Sequence, residues 1–284
     1  MKNERTTHTQ DHAVLVLGGT GKTGSRIVNK LQALGVTTRI GSRSVAPFFD
    51  WDNESTWVPA LNSVKSVYIS YTPDLAVPGA TDTIRAFVSE AVRQNIEHLV
   101  ILSGRGETEA QACERIVQNS GIDWTVVRAS WFNQNFSEGA FADMVKQGVI
   151  ALPADQIAEP FVDVDDIADV AVAALTEPGH KAKVYELTGP RLMTFADIAH
   201  DLSAAIGREI VFHALTHEEF VHGVKQSGAP EIVVWMMDYL FATVLDGRNS
   251  QLCNGVQEAL GREPKDFRDY ALEVAASGQW RKVT

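Results

Sequence analysis

The chain is expected to fold as an α/β protein with a doubly wound parallel sheet, because three features recur along its first half. Short apolar runs of strand length show no polar alternation, as strands covered on both faces do. Segments with apolar residues at helical spacing lie between them, and glycines mark the turns. Ala13-Val14-Leu15-Val16-Leu17 opens the series and is closed by Gly18-Gly19. Gly24 to Leu34 follows as a helix carrying Ile27, Val28, Leu31 and Leu34, with Gly35 as a left-handed cap. Further strands are predicted at Thr37 to Gly41, Val64 to Tyr71, His98 to Ser103 and Asp123 to Arg128, and helices at Thr81 to Gln94 and Thr108 to Gln118. Repeated strand-helix-strand units place ligands beyond the carboxyl ends of the strands.

Beyond Ala129 the pattern is less regular. Helices are predicted near Asp166 to Leu175, Phe195 to Ile206, Glu218 to Lys225 and Glu231 to Leu245, and short strands at Val184 to Leu187 and Ile210 to Phe212. Thr194-Phe195-Ala196-Asp197 and Thr216-His217-Glu218-Glu219 read as helix caps. The expected organisation is a flexible tail over residues 1–12, a sheet domain over 13–135 with 160–190 adding to it, and a smaller lobe from 136–159 and 191–284.

At 284 residues the chain suits one compact unit. Its 45% hydrophobic and 21% charged residues are ordinary for a globular protein. The longest apolar runs fall well short of the roughly 20 residues that span a bilayer, so no membrane span is expected. Met1 to Asp11 has no apolar stretch after its charges and reads as a loose tail, not a secretory signal. Cys113 and Cys253 form no framework or Cys-x-x-Cys site, which fits a reducing cytosol. A net charge of −11 without a basic stripe argues against nucleic acid. The expected partner is a small-molecule substrate, and the chain a monomer or homodimer.

Gly18, Gly21 and Gly24 stand at G-x-x-G-x-x-G spacing between a strand and a helix. That spacing lets the backbone turn tightly and meet a pyrophosphate at the helix N-terminus, with Thr20, Lys22 and Thr23 beside it. Gly21-Lys22-Thr23 copies the end of a nucleotide-triphosphate loop, but the glycine that loop needs five positions earlier is Val16. ATP and GTP are excluded on that ground. After the second strand, Arg39-Ile40-Gly41-Ser42-Arg43-Ser44 has no acid for a ribose 2′-hydroxyl until Asp50. Ser42, Arg43 and Ser44 suit a 2′-phosphate, with Arg43 as the clamp and Lys22 adding charge, so NADP(H) is the expected cofactor. The alternative for Arg43 is a solvated surface charge.

With these residues, Ser120-Gly121-Ile122-Asp123-Trp124-Thr125-Val126-Val127-Arg128, Trp131-Phe132-Asn133-Gln134-Asn135 and Pro160 to Ala168 in view, the chain resembles the NmrA-like branch of the atypical short-chain dehydrogenases, over about Ala13 to Asp269. Within it the resemblance is to the festuclavine synthase and agroclavine dehydrogenase group and to the quinone oxidoreductases. The resemblance implies a Rossmann-type sheet with a smaller, mostly helical C-terminal lobe. It also implies that Ser70, Tyr71 and Thr72 border the cofactor and that Ser103, Gly104, Trp131 and Phe132 stand near the nicotinamide. Trp131 and Phe132 could equally be packing residues. Asp163, Asp165 and Asp166 read as helix caps and dipole partners, and no metal site is expected.

Short-chain dehydrogenases commonly use Tyr-x-x-x-Lys to protonate an alkoxide. None of the five tyrosines here has a lysine four residues later, and alignment through Glu114 puts Gly106 and Ala110 at those positions. A conjugated acceptor such as a quinone, enone or imine can take hydride without that dyad. Trp131, Phe132, Phe161, Trp235, Met236 and Tyr239 are candidates to line its pocket, and Tyr71 is the candidate proton donor. His217 and His222 fall about 140° apart on a helix, the wrong spacing for a zinc motif. The expected function is an NADPH-dependent oxidoreductase; the alternative is a non-catalytic NADP(H)-sensing regulator.

Overall fold

The computed structural model describes residues 13–139, 141–154 and 156–281; the tail expected over residues 1–12 lies outside them. The elements run β1 (Ala13–Leu17), α1 (Lys22–Ala33), β2 (Thr38–Gly41), α2 (Trp57–Leu61), β3 (Val64–Ile69), α3 (Ala80–Arg93), β4 (His98–Gly104), α4 (Thr108–Gln118) and β5 (Asp123–Ala129). They continue with α5 (Ala142–Gln147), β6 (Val149–Leu152), α6 (Val164–Thr176), β7 (Lys183–Leu187), α7 (Phe195–Ile206), β8 (Val211–Ala214), α8 (His217–Gln226), α9 (Glu231–Tyr239), α10 (Gly255–Leu260) and α11 (Phe267–Ser277).

Six strands form one parallel sheet in the order β2-β1-β3-β4-β5-β7. The chain leaves β1 to one side and returns on the other, so the order reverses between β1 and β3 and a crevice opens beyond their carboxyl ends. Alternate residues of each strand feed two cores. Leu15, Leu17, Val67, Ile69, Leu99 and Ile101 pack under α2, α3 and α4, while Val14, Val16, Tyr68 and Val100 pack under α1, α6 and α10. Burial on both faces explains why these strands read as unbroken apolar runs.

A third core gathers Phe136, Phe141, Phe161, Phe195, Phe241, Phe267, Tyr270 and Trp280. Trp280 Nε1 donates to the Phe136 carbonyl at 2.8 Å, which ties the end of the chain to the segment after β5. The Thr194–Asp197 and Thr216–Glu219 capping boxes form as expected, and the Asp163 side chain caps α6 by accepting from the Asp165 amide. The stretch read as one helix from Glu231 to Leu245 is broken: α9 ends at Tyr239 and the chain widens into a π-helical turn over Leu240–Val244. The extra residue in that turn is accommodated by burying Phe241 and Val244. α2, α5, β6, α10 and α11 were not read from the sequence; β6 exists because it pairs with β8, some sixty residues onward.

Glu159, fully buried, exchanges backbone bonds of 2.9 Å with Met193. Neither side-chain oxygen has a hydrogen-bond partner among the described residues. Burial pushes its carboxyl up to about 7, against the pull of Arg105. The native state therefore holds a proton that the unfolded chain releases above its ordinary value, and stability falls as pH rises from about 4.5 to 7. Glu159→Gln removes that loss. Thermal melts should show the variant stabilised at pH 8 by up to about 3 kcal/mol and matched to the parent near pH 4.5; equal differences at both pH values would refute the account.

Candidate active site

The turn from β1 into α1 is made by glycines because nothing larger fits. Gly18 has φ +66°, and a Cβ on Gly24 would run into the Gly18 carbonyl. The Gly21 amide donates to Gly18 O at 2.8 Å and closes the turn. Gly21 is the N-cap of α1, whose first turn carries no acid, so its free amides and the positive end of its dipole face the crevice. A Cβ on Gly18 would lie 3.2 Å from Ser70 Cβ, which brings the loop against the end of β3 at the switch point.

Three cations near this region are used differently. Lys22 donates from Nζ to Asn135 Oδ1 at 3.0 Å, and burial holds its amine below the ordinary value despite Glu138. Arg39 is spent on the Ala60 and Asn62 carbonyls, at 2.7 and 2.5 Å. Arg43 is exposed at the cleft and has no hydrogen-bond or ion-pair partner among the described residues. Ser42 Oγ accepts the amides of Ser44 and Val45, at 3.3 and 3.2 Å, and so shapes the turn that presents Arg43. Asp50 and Asp52 line the cleft nearby.

From there a cavity of about 730 Å³ runs along the carboxyl ends of β1, β3, β4 and β5. Ser70, Tyr71, Thr72, Ser103, Gly104, Arg105, Glu107, Trp131 and Phe132 form the sheet side, and Phe141, Val233, Met236, Met237, Leu240 and Val244 the opposite wall. Ser103 is 5% exposed and its Oγ has no hydrogen-bond partner among the described residues. Trp131 packs against Phe241 at 5.3 Å between ring centroids while lining the cavity, so it belongs to lobe core and cleft together. Behind this wall Arg105 Nη1 donates to Ser130 Oγ at 3.0 Å. Arg128 grips Glu114 with bonds of 2.9 and 2.6 Å.

Gly18, Thr20, Gly21, Lys22, Thr23, Ser42, Arg43, Ser70, Tyr71, Thr72, Ser103, Gly104, Trp131 and Phe132 all line this one cavity. Gly24 and Ser44 do not. Gly24 is buried beneath the loop it packs against, and Ser44 is exposed with its hydroxyl 3.3 Å from Ser42 Oγ. Of the residues expected around an acceptor, Met236 is in place, but Phe161 is withdrawn into the lobe core. Trp235 and Tyr239 stack on one another at 5.2 Å and are also not among the lining residues. Asp74, Glu107 and Asn249 line the cavity and went unread, because they lie in loops with no spacing signal; Asn135, in the Trp131–Asn135 motif, lines it too.

The departure from Tyr-x-x-x-Lys has a structural reason. Gly106 has φ +78° and a Cβ there would lie 2.5 Å from Asn249 Nδ2, while Ala110 is fully buried in the core. Neither position has room for a long polar side chain.

A strand, glycine turn and helix at the switch point of a doubly wound sheet define the class, an α/β dinucleotide fold. Residues 18–178, more than half of the chain, match the family described as NAD(P)H-binding. The chain is 31% identical over 283 residues to the agroclavine dehydrogenase of Claviceps fusiformis, covering 92% of this chain and 96% of that protein. It is 30% identical over 293 residues to the NAD(P)H azoreductase of Xenophilus azovorans, covering 93% and 98%. In fold it is similar to an NADPH-dependent quinone oxidoreductase of Escherichia coli in complex with NADPH, with a TM-score of 0.77 over 92% of this chain and 99% of that one, at 19% identity. The chain belongs to the NAD(P)H-binding family, as an oxidoreductase of its NmrA-like, atypical short-chain dehydrogenase branch.

The glycine cradle fits a dinucleotide diphosphate, since any Cβ at Gly24 would displace the loop. Gly24→Ala should therefore cost about 1 to 3 kcal/mol in denaturant melts through overpacking and weaken NADPH binding measured by calorimetry. Unchanged stability and affinity would show that the close approach is dispensable.

Proposed function

We propose that this protein is an NADPH-dependent oxidoreductase that reduces a small conjugated acceptor, a quinone, enone or imine, in the cavity between the sheet edge and the C-terminal lobe. The observation that carries this reading is the continuous cleft, with an unpartnered guanidinium at one end, glycine amides in the middle and an apolar wall at the other. Bound NADPH would supply a hydride to the acceptor. The chain's own part is placement: the α1 N-terminus receives the diphosphate, Arg43 the 2′-phosphate, and Ser70, Tyr71, Thr72, Ser103 and Gly104 the reactive end. Lys22, tethered by Asn135, holds the loop to the segment after β5. Trp131, Met236, Met237 and Leu240 exclude water from the acceptor and offer it flat, polarisable contacts.

The names of the relatives support acceptors of this kind: an agroclavine dehydrogenase and an azoreductase by sequence, a quinone oxidoreductase by fold. The residues at Gly106 and Ala110 favour a second reading, a non-catalytic NADP(H)-sensing regulator. The apolar wall facing the Ser103 end favours the enzyme. We place the protein in the cytosol, where its two free cysteines stay reduced.

Two measurements test this. NADPH consumption with a panel of quinones, enones and cyclic imines should exceed background for at least one member; background rates with all of them would refute the enzyme reading. Arg43→Asp should weaken NADPH about 10- to 100-fold, as loss of a charge-assisted phosphate contact does, and leave NADH within a few-fold. Equal loss for both cofactors would refute the 2′-phosphate assignment.

A further inference from the structure

Of the four carboxyl groups that line the cavity, Asp50 and Asp52 stand at the β2 end and two others lie beyond β3 and β4 without a role in holding the cofactor. Asp74 lies in the loop after β3 and Glu107 in the loop after β4, and both line the cavity. The two carboxyls act on each other, and the Asp74 charge helps to raise Glu107. Asp74 Oδ1 also accepts the Ala76 amide at 2.8 Å. Glu107, 7% exposed, lays its carboxyl over Gly104, where a Cβ would collide with it. Burial and like charge both disfavour two carboxylates side by side, so the pair favours keeping one proton.

The surroundings keep it there. Glu109 and Glu114 of α4 add charge of the same sign, and burial together with Asp74 lifts the Glu107 carboxyl well above its ordinary value. The Cys113 thiol beside Asp74 is pushed up to about 12 by burial, with Arg85 as the opposing charge, and so supplies no anion. Tyr239 donates to Glu109 at 2.6 Å. The nearby cations are engaged elsewhere: Arg105 with Ser130 and Glu186, and Arg248 with Asp246 and the Gly106 carbonyl.

A second observation marks the same wall as a ligand position. Ser103 Oγ, buried at the end of β4, lacks any partner among the described residues, and Ser103 lines the cavity with Gly104 and Glu107. From Ser42 after β2 to Gly104 after β4 the cleft crosses three interstrand spacings, about 14 Å. That puts the carboxyl pair at the end of the cleft opposite the 2′-phosphate clamp. The loop that has no room for a tyrosine at Gly106 presents an acid one residue later.

We propose that the Asp74–Glu107 pair is the proton donor to the acceptor. The proposal rests on the oxidoreductase reading above. With a quinone, one oxygen would take hydride from bound NADPH as a new O–H bond while the nicotinamide C–H bond breaks; both C=O π bonds give way to an aromatic ring, and the second oxygen, now an aryloxide, forms its O–H bond as a carboxyl O–H of the pair breaks. The product is the hydroquinone; the pair, left with two negative charges in contact, recovers its proton from water.

The test uses the full chain. In the cofactor-free protein, carboxyl ¹³C NMR should show one member of the pair protonated at pH 7 and the other ionised. With NADPH and 1,4-naphthoquinone, kcat should fall at high pH as the pair ionises. Glu107→Gln should lower kcat about 10²- to 10⁴-fold, with KM changed by a few-fold at most, and abolish that pH limb; Glu107→Asp should restore part of the rate. Asp74→Asn gives the same reading should Glu107→Gln not fold. A parent enzyme that turns over while Glu107→Gln and Asp74→Asn stay within threefold overturns the pair alone, as does a larger loss in Tyr71→Phe than in either. A parent enzyme inert toward every acceptor overturns the oxidoreductase reading and the pair together.

Discussion

The contact on which the rest depends is that between the Gly24 backbone and the Gly18 carbonyl, made possible by the missing Cβ. It lets the chain reverse direction within four residues of the end of β1 and start α1 against its own turn. The amides of the first helical turn are thereby aimed at the crevice where the strand order reverses. Ser70, Arg43 and Ser103 gain their meaning from that opening, because each ends or follows a strand that terminates at the same edge.

The charges along the cleft are graded. At the β2 end a guanidinium stands free beside Asp50 and Asp52, and Lys22 sits over the loop with its amine held by Asn135. Toward β4 the balance turns acidic and dry, with Asp74 and Glu107 in contact and the arginines around them bound to other acids. Burial acts oppositely on the two signs: it lowers Lys22 and raises Glu107, and both shifts disfavour charge at the buried positions. One end of the cleft is thus suited to binding an anion and the other to keeping a proton.

The sheet and the glycine loop were legible because their signals are local. Each buried strand is an uninterrupted apolar run, and G-x-x-G-x-x-G encodes a turn in which backbone meets backbone. Arg43 was legible for the same reason, from its distance past the glycines. What went unread depends on partners remote in sequence. β6 is four residues long and needs β8; Phe161 is taken from the cleft by Phe136, Phe195 and Phe267; and Glu107 is raised by burial and by the charge of Asp74, thirty-three positions earlier and on another strand's loop.

The amino-acid order alone determined the parallel sheet, the glycine loop and the absence of the Tyr-Lys dyad, and it raised the expectation of a phosphate in place of an acid-bound ribose, since all of these follow from residue type at short spacing. Only the tertiary structure decided which aromatic rings reach the cavity, that Gly106 is closed to a tyrosine by Asn249, and that two acids from separate loops meet. Those outcomes turn on distances between side chains brought together by the sheet, which have no counterpart in linear spacing.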